Sequence, residues 1–87
     1  MYSIRFLDEA VRDLKRLDRS VILSISRKLE WLSKNVESLE PQWLHENLAG
    51  LAKLREGDYR IIYQPIESEG VIVIHFIGHR SEVYKRR

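Results

Sequence analysis

The dipeptide Gly57-Asp58 lies between two short strand-like runs, Leu51 to Arg55 and Tyr59 to Gln64. A two-residue loop of this type predicts a tight β-hairpin. Such a loop also fixes the register. Glu56 then faces Tyr59, Arg55 faces Arg60, Leu54 faces Ile61 and Lys53 faces Ile62. Directly opposed residues share a face of the sheet, and so do residues two apart along a strand. Lys53, Arg55, Arg60 and Ile62 therefore fall on one face, and Ala52, Leu54, Tyr59, Ile61 and Tyr63 on the other. The second set needs a cover; the first is expected to stay uncovered. Like charges directly across a ladder destabilise it. Long cationic side chains can relieve that by reaching into water, but three cations on one open face also suit a polyanion.

The cover is expected from the first half of the chain. Tyr2, Ile4 and Phe6 alternate with Ser3 and Arg5, which predicts a first strand. Asp8 is placed to cap a short amphipathic helix over residues 8–17, with Ala10, Leu14 and Leu17 on its apolar side. A second helix, capped by Asp18 or Ser20, carries Ile22, Ile25, Leu29 and Leu32 as a stripe and stops near Asn35. So short a link requires an antiparallel helical hairpin. Pro41 breaks any long helix beyond that point, and Trp43, Leu44 and Leu48 suggest a turn or short helix that plugs one end of the core. After the hairpin, Pro65 to Gly70 reads as a loop and Val71 to Ile77 as a central strand, ended by Gly78. The order is β-α-α-β-β-β. It is an α+β fold with an N-terminal helical hairpin packed on a small, largely antiparallel sheet, one domain over residues 1–87.

Composition removes several function classes. The chain has no cysteine, so disulfides and thiolate metal sites are excluded. No phosphate-binding glycine loop or zinc spacing occurs, and His45, His75 and His79 form no ligand pattern, so neither metal nor cofactor is expected. His75 lies in an apolar strand and reads as a satisfied core or edge histidine. No apolar run is long enough to cross a bilayer and the N-terminus does not read as a signal peptide, which points to the cytoplasm and away from membranes. Net charge is only +2, but the final stretch carries Arg80, Lys85, Arg86 and Arg87 against Glu82 alone. That local excess, with Arg55 on the hairpin, makes Arg55, Lys85 and Arg86 candidate contacts for a polyanion.

The segment after the central strand adds an imidazole, a fixed cation and a phenol in His79, Arg80 and Tyr84. Loops at strand ends often carry functional groups. Together with Lys53 and Arg60 they form the candidate catalytic set.

The stretch "KLREGDYRIIY" (residues 53–63) followed by "IGHRSEVY" (residues 77–84) resembles the RelE/ParE toxin superfamily, and the element order matches over nearly the whole chain. In the RelE branch the resemblance implies a toxin of a type II toxin–antitoxin system. Such a toxin is a metal-independent, ribosome-dependent endoribonuclease that cuts messenger RNA in the A site and so stops translation. Position by position, it makes Arg60 the stabiliser of the transition-state phosphate, and Lys53 and Arg55 the basic positions of the preceding strand. Arg80 becomes a general acid or phosphate ligand, and Tyr84 a general base or base-stacking residue. The family's second lysine corresponds to Leu51 here, a departure that brings His79 forward as an acid–base group. The implied partners are a cognate antitoxin, the ribosome and its message, with operator DNA reached only through the antitoxin complex.

The chemistry is coherent without the resemblance. RNA carries its own nucleophile, so an enzyme need only deprotonate the 2′-hydroxyl, stabilise a phosphorane-like transition state and protonate the leaving 5′-oxygen. The products are a 2′,3′-cyclic phosphate and a 5′-hydroxyl. A tyrosine base, with a reference pKa of about 10, is held ionised at neutral pH only at about 4 kcal/mol, and neighbouring cations lower that. Two rivals share the fold: a ParE-type inhibitor of DNA gyrase that acts by binding, and a remnant that only pairs with its antitoxin and helps bind operator DNA.

Overall fold

A computed structural model describes residues 1–85. Two helices lie on one face of a five-stranded sheet of order β1-β5-β4-β3-β2. The elements are β1 (Ser3–Phe6), α1 (Asp8–Lys15), α2 (Arg19–Asn35), β2 (Gln42–Trp43), β3 (Ala52–Glu56), β4 (Tyr59–Ile66) and β5 (Val71–His79). The expected architecture is present, and the hairpin register is the one read from Gly57-Asp58: Arg55 faces Arg60 and Lys53 faces Ile62. Gly57 has φ +57° while Asp58 stays at negative φ, the pattern of a type II′ turn with glycine first.

Several boundaries differ from expectation. The first helix stops at Lys15, two residues early, and Asp8 is its first residue, preceded by Leu7 in extended backbone. Asp8 and Glu9 then sit in the first turn, where a carboxylate favours the helix dipole. Residues 42–43 add an edge strand that the sequence did not reveal, and Trp43 is exposed there. β4 runs through Pro65 to Ile66, past the end of β3, at an edge where proline is tolerated.

The main core lies between helices and sheet. Ile25, Leu29, Leu32 and Ala10 meet Ala52, Leu54, Ile61, Tyr63, Ile72 and Ile74. Ser24 Oγ donates to Glu56 at 2.6 Å and ties α2 to the hairpin. The opposite face is not bare, which corrects the expectation that it would be. Ile62 and Phe76 are buried there with Val83 of the C-terminal turn, under Leu44, Leu48 and Leu51. This second, small core anchors the turn that follows β5 to the face that carries the cations. Among the described residues, no helix is long and apolar enough to cross a membrane.

Candidate functional site

The site grows from the tip of the β3–β4 hairpin. Arg55 and Arg60 are directly opposed across the ladder, and Lys53 lies one same-face position behind Arg55. Arg60 is folded back: its guanidinium donates to the Gly57 carbonyl at 3.1 Å and to the Tyr59 carbonyl at 2.9 Å. The C-terminal turn comes to the same tip. Arg80 N–H donates to the Asp58 carbonyl at 2.8 Å, and its guanidinium Nε is 3.7 Å from the Asp58 carboxylate. Both partners of that ion pair are well exposed, so it holds Arg80 only weakly.

Tyr84 reaches the cluster because of Gly78. Gly78 pairs with Arg60 across β4 and β5 and therefore presents no side chain on the cation face. Val83 packs into that space, so closely that a Cβ on Gly78 would lie 3.3 Å from the Val83 Cβ. The next residue, Tyr84, is part-exposed and within the field of Arg60. Burial raises the pKa of its phenol above the ordinary value, and the opposing pull of Arg60 is smaller. The resting side chain is therefore a neutral phenol at pH 7, with less phenolate than a free tyrosine.

The structure thus brings together Lys53, Arg55, Arg60, Arg80 and Tyr84. It does not bring His79 to them. His79 pairs with Tyr59, one residue out of phase with Arg60 and Gly78, and its ring meets the edge of Tyr59 at 5.5 Å between centroids. Tyr59 packs against the helix-side core, so His79 lies on the opposite face from Arg60. Lys85 also turns to that side, where it lines a cavity of about 490 Å³ with Arg16, Leu17, Tyr59 and His79. Arg86 lies outside the described residues.

Sequence reasoning missed three residues that build the site. Gly78 read only as a strand end, and neither Val83 nor Asp13 was given a role. Asp13 is in fact buried, and its Oδ2 accepts from the Ile77 N–H at 2.9 Å. His75, half-buried on β5, is the extra residue of a bulge where β4 shifts register between Ile62 and Tyr63. Its Nε2 lies 3.1 Å from Gln64 Oε1; a carbonyl oxygen can only accept, so Nε2 carries the hydrogen. Burial lowers the His75 pKa, against a smaller upward pull from Glu9. Among the described residues, no three histidine, aspartate or glutamate side chains gather as a metal site.

Comparison with known proteins places this geometry in context. Residues 4–84 match the family model described as the ParE toxin of the type II toxin–antitoxin system parDE. Toxin RelG of Mycobacterium tuberculosis is 30% identical over 89 aligned residues, covering 98% of each chain. The mRNA interferase toxin RelE of Escherichia coli K12 is 32% identical, over 95% of this chain and 90% of its own. A chain of the toxin–antitoxin complex RelBE2 from Mycobacterium tuberculosis superimposes with a TM-score of 0.81 at 29% identity, covering 91% of this chain and 98% of that one.

Proposed function

The chain belongs to the RelE/ParE superfamily of toxins from type II toxin–antitoxin systems, and from that premise we propose that it is a ribosome-dependent endoribonuclease that cuts messenger RNA. The observation that carries this reading is the meeting of Arg60, Arg80 and Tyr84 at one hairpin tip, with Lys53 and Arg55 on the same face.

In the proposed reaction the O2′ proton passes to the Tyr84 phenolate, the minor form that Arg60 favours. O2′ attacks phosphorus and the bond from phosphorus to O5′ breaks, leaving a 2′,3′-cyclic phosphate. Water held at Arg80 gives its proton to O5′, and the hydroxide formed takes the Tyr84 proton back. Arg60 and Lys53 stabilise the extra charge on the non-bridging oxygens; arginine suits this because its donors are planar and paired. The substrate phosphate must draw Arg60 from the two carbonyls and Arg80 from Asp58. Arg55, Lys85 and Arg86 would then contact RNA outside the reacting centre. The protein would act in the cytoplasm, with the ribosome aligning the message, a cognate antitoxin holding it inactive, and operator DNA contacted through that complex.

The family model that matches is described by its ParE member, which favours one second reading: inhibition of DNA gyrase by binding. One experiment separates the two. The protein is induced, messenger RNA 5′ ends are mapped and chromosome breaks are followed. Codon-phased cuts that vanish in Arg60→Ala and Tyr84→Phe support cleavage. Chromosome breaks with intact messages sink it.

A further inference from the structure

We propose that His79 is a positioning residue, one that clips the C-terminal turn bearing Tyr84 in place and transfers no proton itself; the inference rests on the cleavage reading above. Two observations remove it from the chemistry. Its side chain lies on the helix side of the sheet while Arg60 lies on the other, as their neighbouring pairings with Tyr59 and Gly78 require. Its ring is also set against Tyr59, with an interplanar angle of 84°.

Its hydrogen bonds show what it does instead. The Ser81 N–H donates to His79 Nδ1 at 3.1 Å. A backbone amide can only donate, so Nδ1 holds the lone pair and the ring hydrogen is on Nε2. The Ser81 hydroxyl, 2.8 Å from the same nitrogen, donates to it as well. From the backbone, the His79 carbonyl accepts from Glu82 N–H and Val83 N–H, both at 2.9 Å. One residue therefore binds three successive residues of the turn. The last of them, Val83, is 1% exposed against Gly78 and directly precedes Tyr84. Releasing the clip would let the phenol drift from Arg60, and small misplacements of a reacting group cost large factors in rate.

The bond from a side chain to the amide two residues on is also the one that asparagine makes in an Asx turn. That supplies the test. His79→Asn keeps an acceptor for Ser81 N–H and has no titratable ring; His79→Leu keeps an apolar surface against Tyr59 and has no acceptor. Programmed ribosomes are the substrate, and amide hydrogen exchange at Ser81, Glu82 and Val83 is followed in the free protein. The expected result is cleavage by His79→Asn within about threefold of wild type, and by His79→Leu at least about tenfold slower in kcat with KM little changed. Exchange in the turn should rise in the leucine variant alone, with the amides of β4 and β5 still protected.

Equal losses in both variants, on the order of a hundredfold, would make His79 a proton-transfer group and overturn the proposal. Unchanged cleavage and exchange in His79→Leu would overturn it too. If wild-type protein cuts no message, the cleavage reading fails, and the exchange measurement still decides whether His79 holds the turn.

Discussion

Asp13 of α1 closes the open edge of β5 by accepting the Ile77 N–H at 2.9 Å. β1 pairs with β5 only as far as Ile74, so beyond that point the ladder has lost its neighbour. A buried amide without a partner is costly, and the Asp13 carboxylate replaces the missing strand. Asp13→Ala is therefore expected to destabilise the fold by about 2 kcal/mol, measured by urea unfolding, because it strands that amide in the core. Asp13→Asn, which keeps an acceptor, should fall between.

Tyr63 presents the opposite case. Its ring is fully buried, and its hydroxyl has no hydrogen-bond partner among the described residues. Burial raises the phenol pKa, so the group stays neutral through the physiological range. Removing an unsatisfied hydroxyl removes its desolvation penalty. Tyr63→Phe should leave stability unchanged or raise it by up to about 1 kcal/mol in the same unfolding assay. A clear loss would mean that the hydroxyl has a partner in solution, as a buried water would provide.

Arg60 and Asp58 bracket the electrostatics of the hairpin tip. Arg60→Ala is expected to reduce kcat on programmed ribosomes by about a hundredfold or more, the size typical of losing one transition-state donor. Asp58→Asn removes the exposed partner of Arg80 and should lower KM by no more than about threefold, since pairs this exposed are weak. A large gain from Asp58→Asn would identify the ion pair as a true brake.

In the proposed reaction the Tyr84 phenol sets the pH dependence. Its pKa is raised, by burial first, so the phenolate that takes the O2′ proton is the minor form at neutrality. Base-form activity rises with pH until the pKa is passed. Because that pKa lies above 10.0, cleavage should climb about tenfold per unit from pH 7 to 9 without levelling. Tyr84→Phe should be both slow and flat. A plateau below pH 8 in the wild-type chain would assign the proton to another group.

Gly78 separates folding from activity. It is an ordinary strand position in its backbone, so Gly78→Ala should change stability by less than about 1 kcal/mol. Its new Cβ, however, would meet the Val83 Cβ at 3.3 Å, so the turn ahead of Tyr84 must give by a few tenths of an ångström. Cleavage should fall about tenfold while the melting temperature holds, measured on the same preparation.

The sequence disclosed these residues unequally, for reasons of local geometry. The faces of Lys53, Arg55 and Arg60 were legible because a two-residue turn leaves no freedom of register. His79 was not legible in the same way. The connection from β4 to β5 spans a longer loop, and the bulge at Ile62 and Tyr63 shifts the phase by one residue. That single shift decides which side of the sheet the imidazole takes. β2, at two residues, is too short to show any period. Asp13 belongs to the amphipathic pattern of α1 only as a polar residue, and nothing local shows that it faces an unpaired amide.

The pairing of β1 with β5 reaches further than the site. Ser3 to Phe6 lie in parallel register with Val71 to Ile74, so β1 leaves the ribosome long before β5 and finds its partner only when β5 has emerged. Contacts so distant along the chain close slowly, and the sheet cannot be completed during most of translation. The turn carrying Arg80 and Tyr84 follows β5. Until that turn has emerged, Arg60 stands without Arg80 and Tyr84, and under the proposed reading a nascent chain has no assembled site with which to attack the message that encodes it.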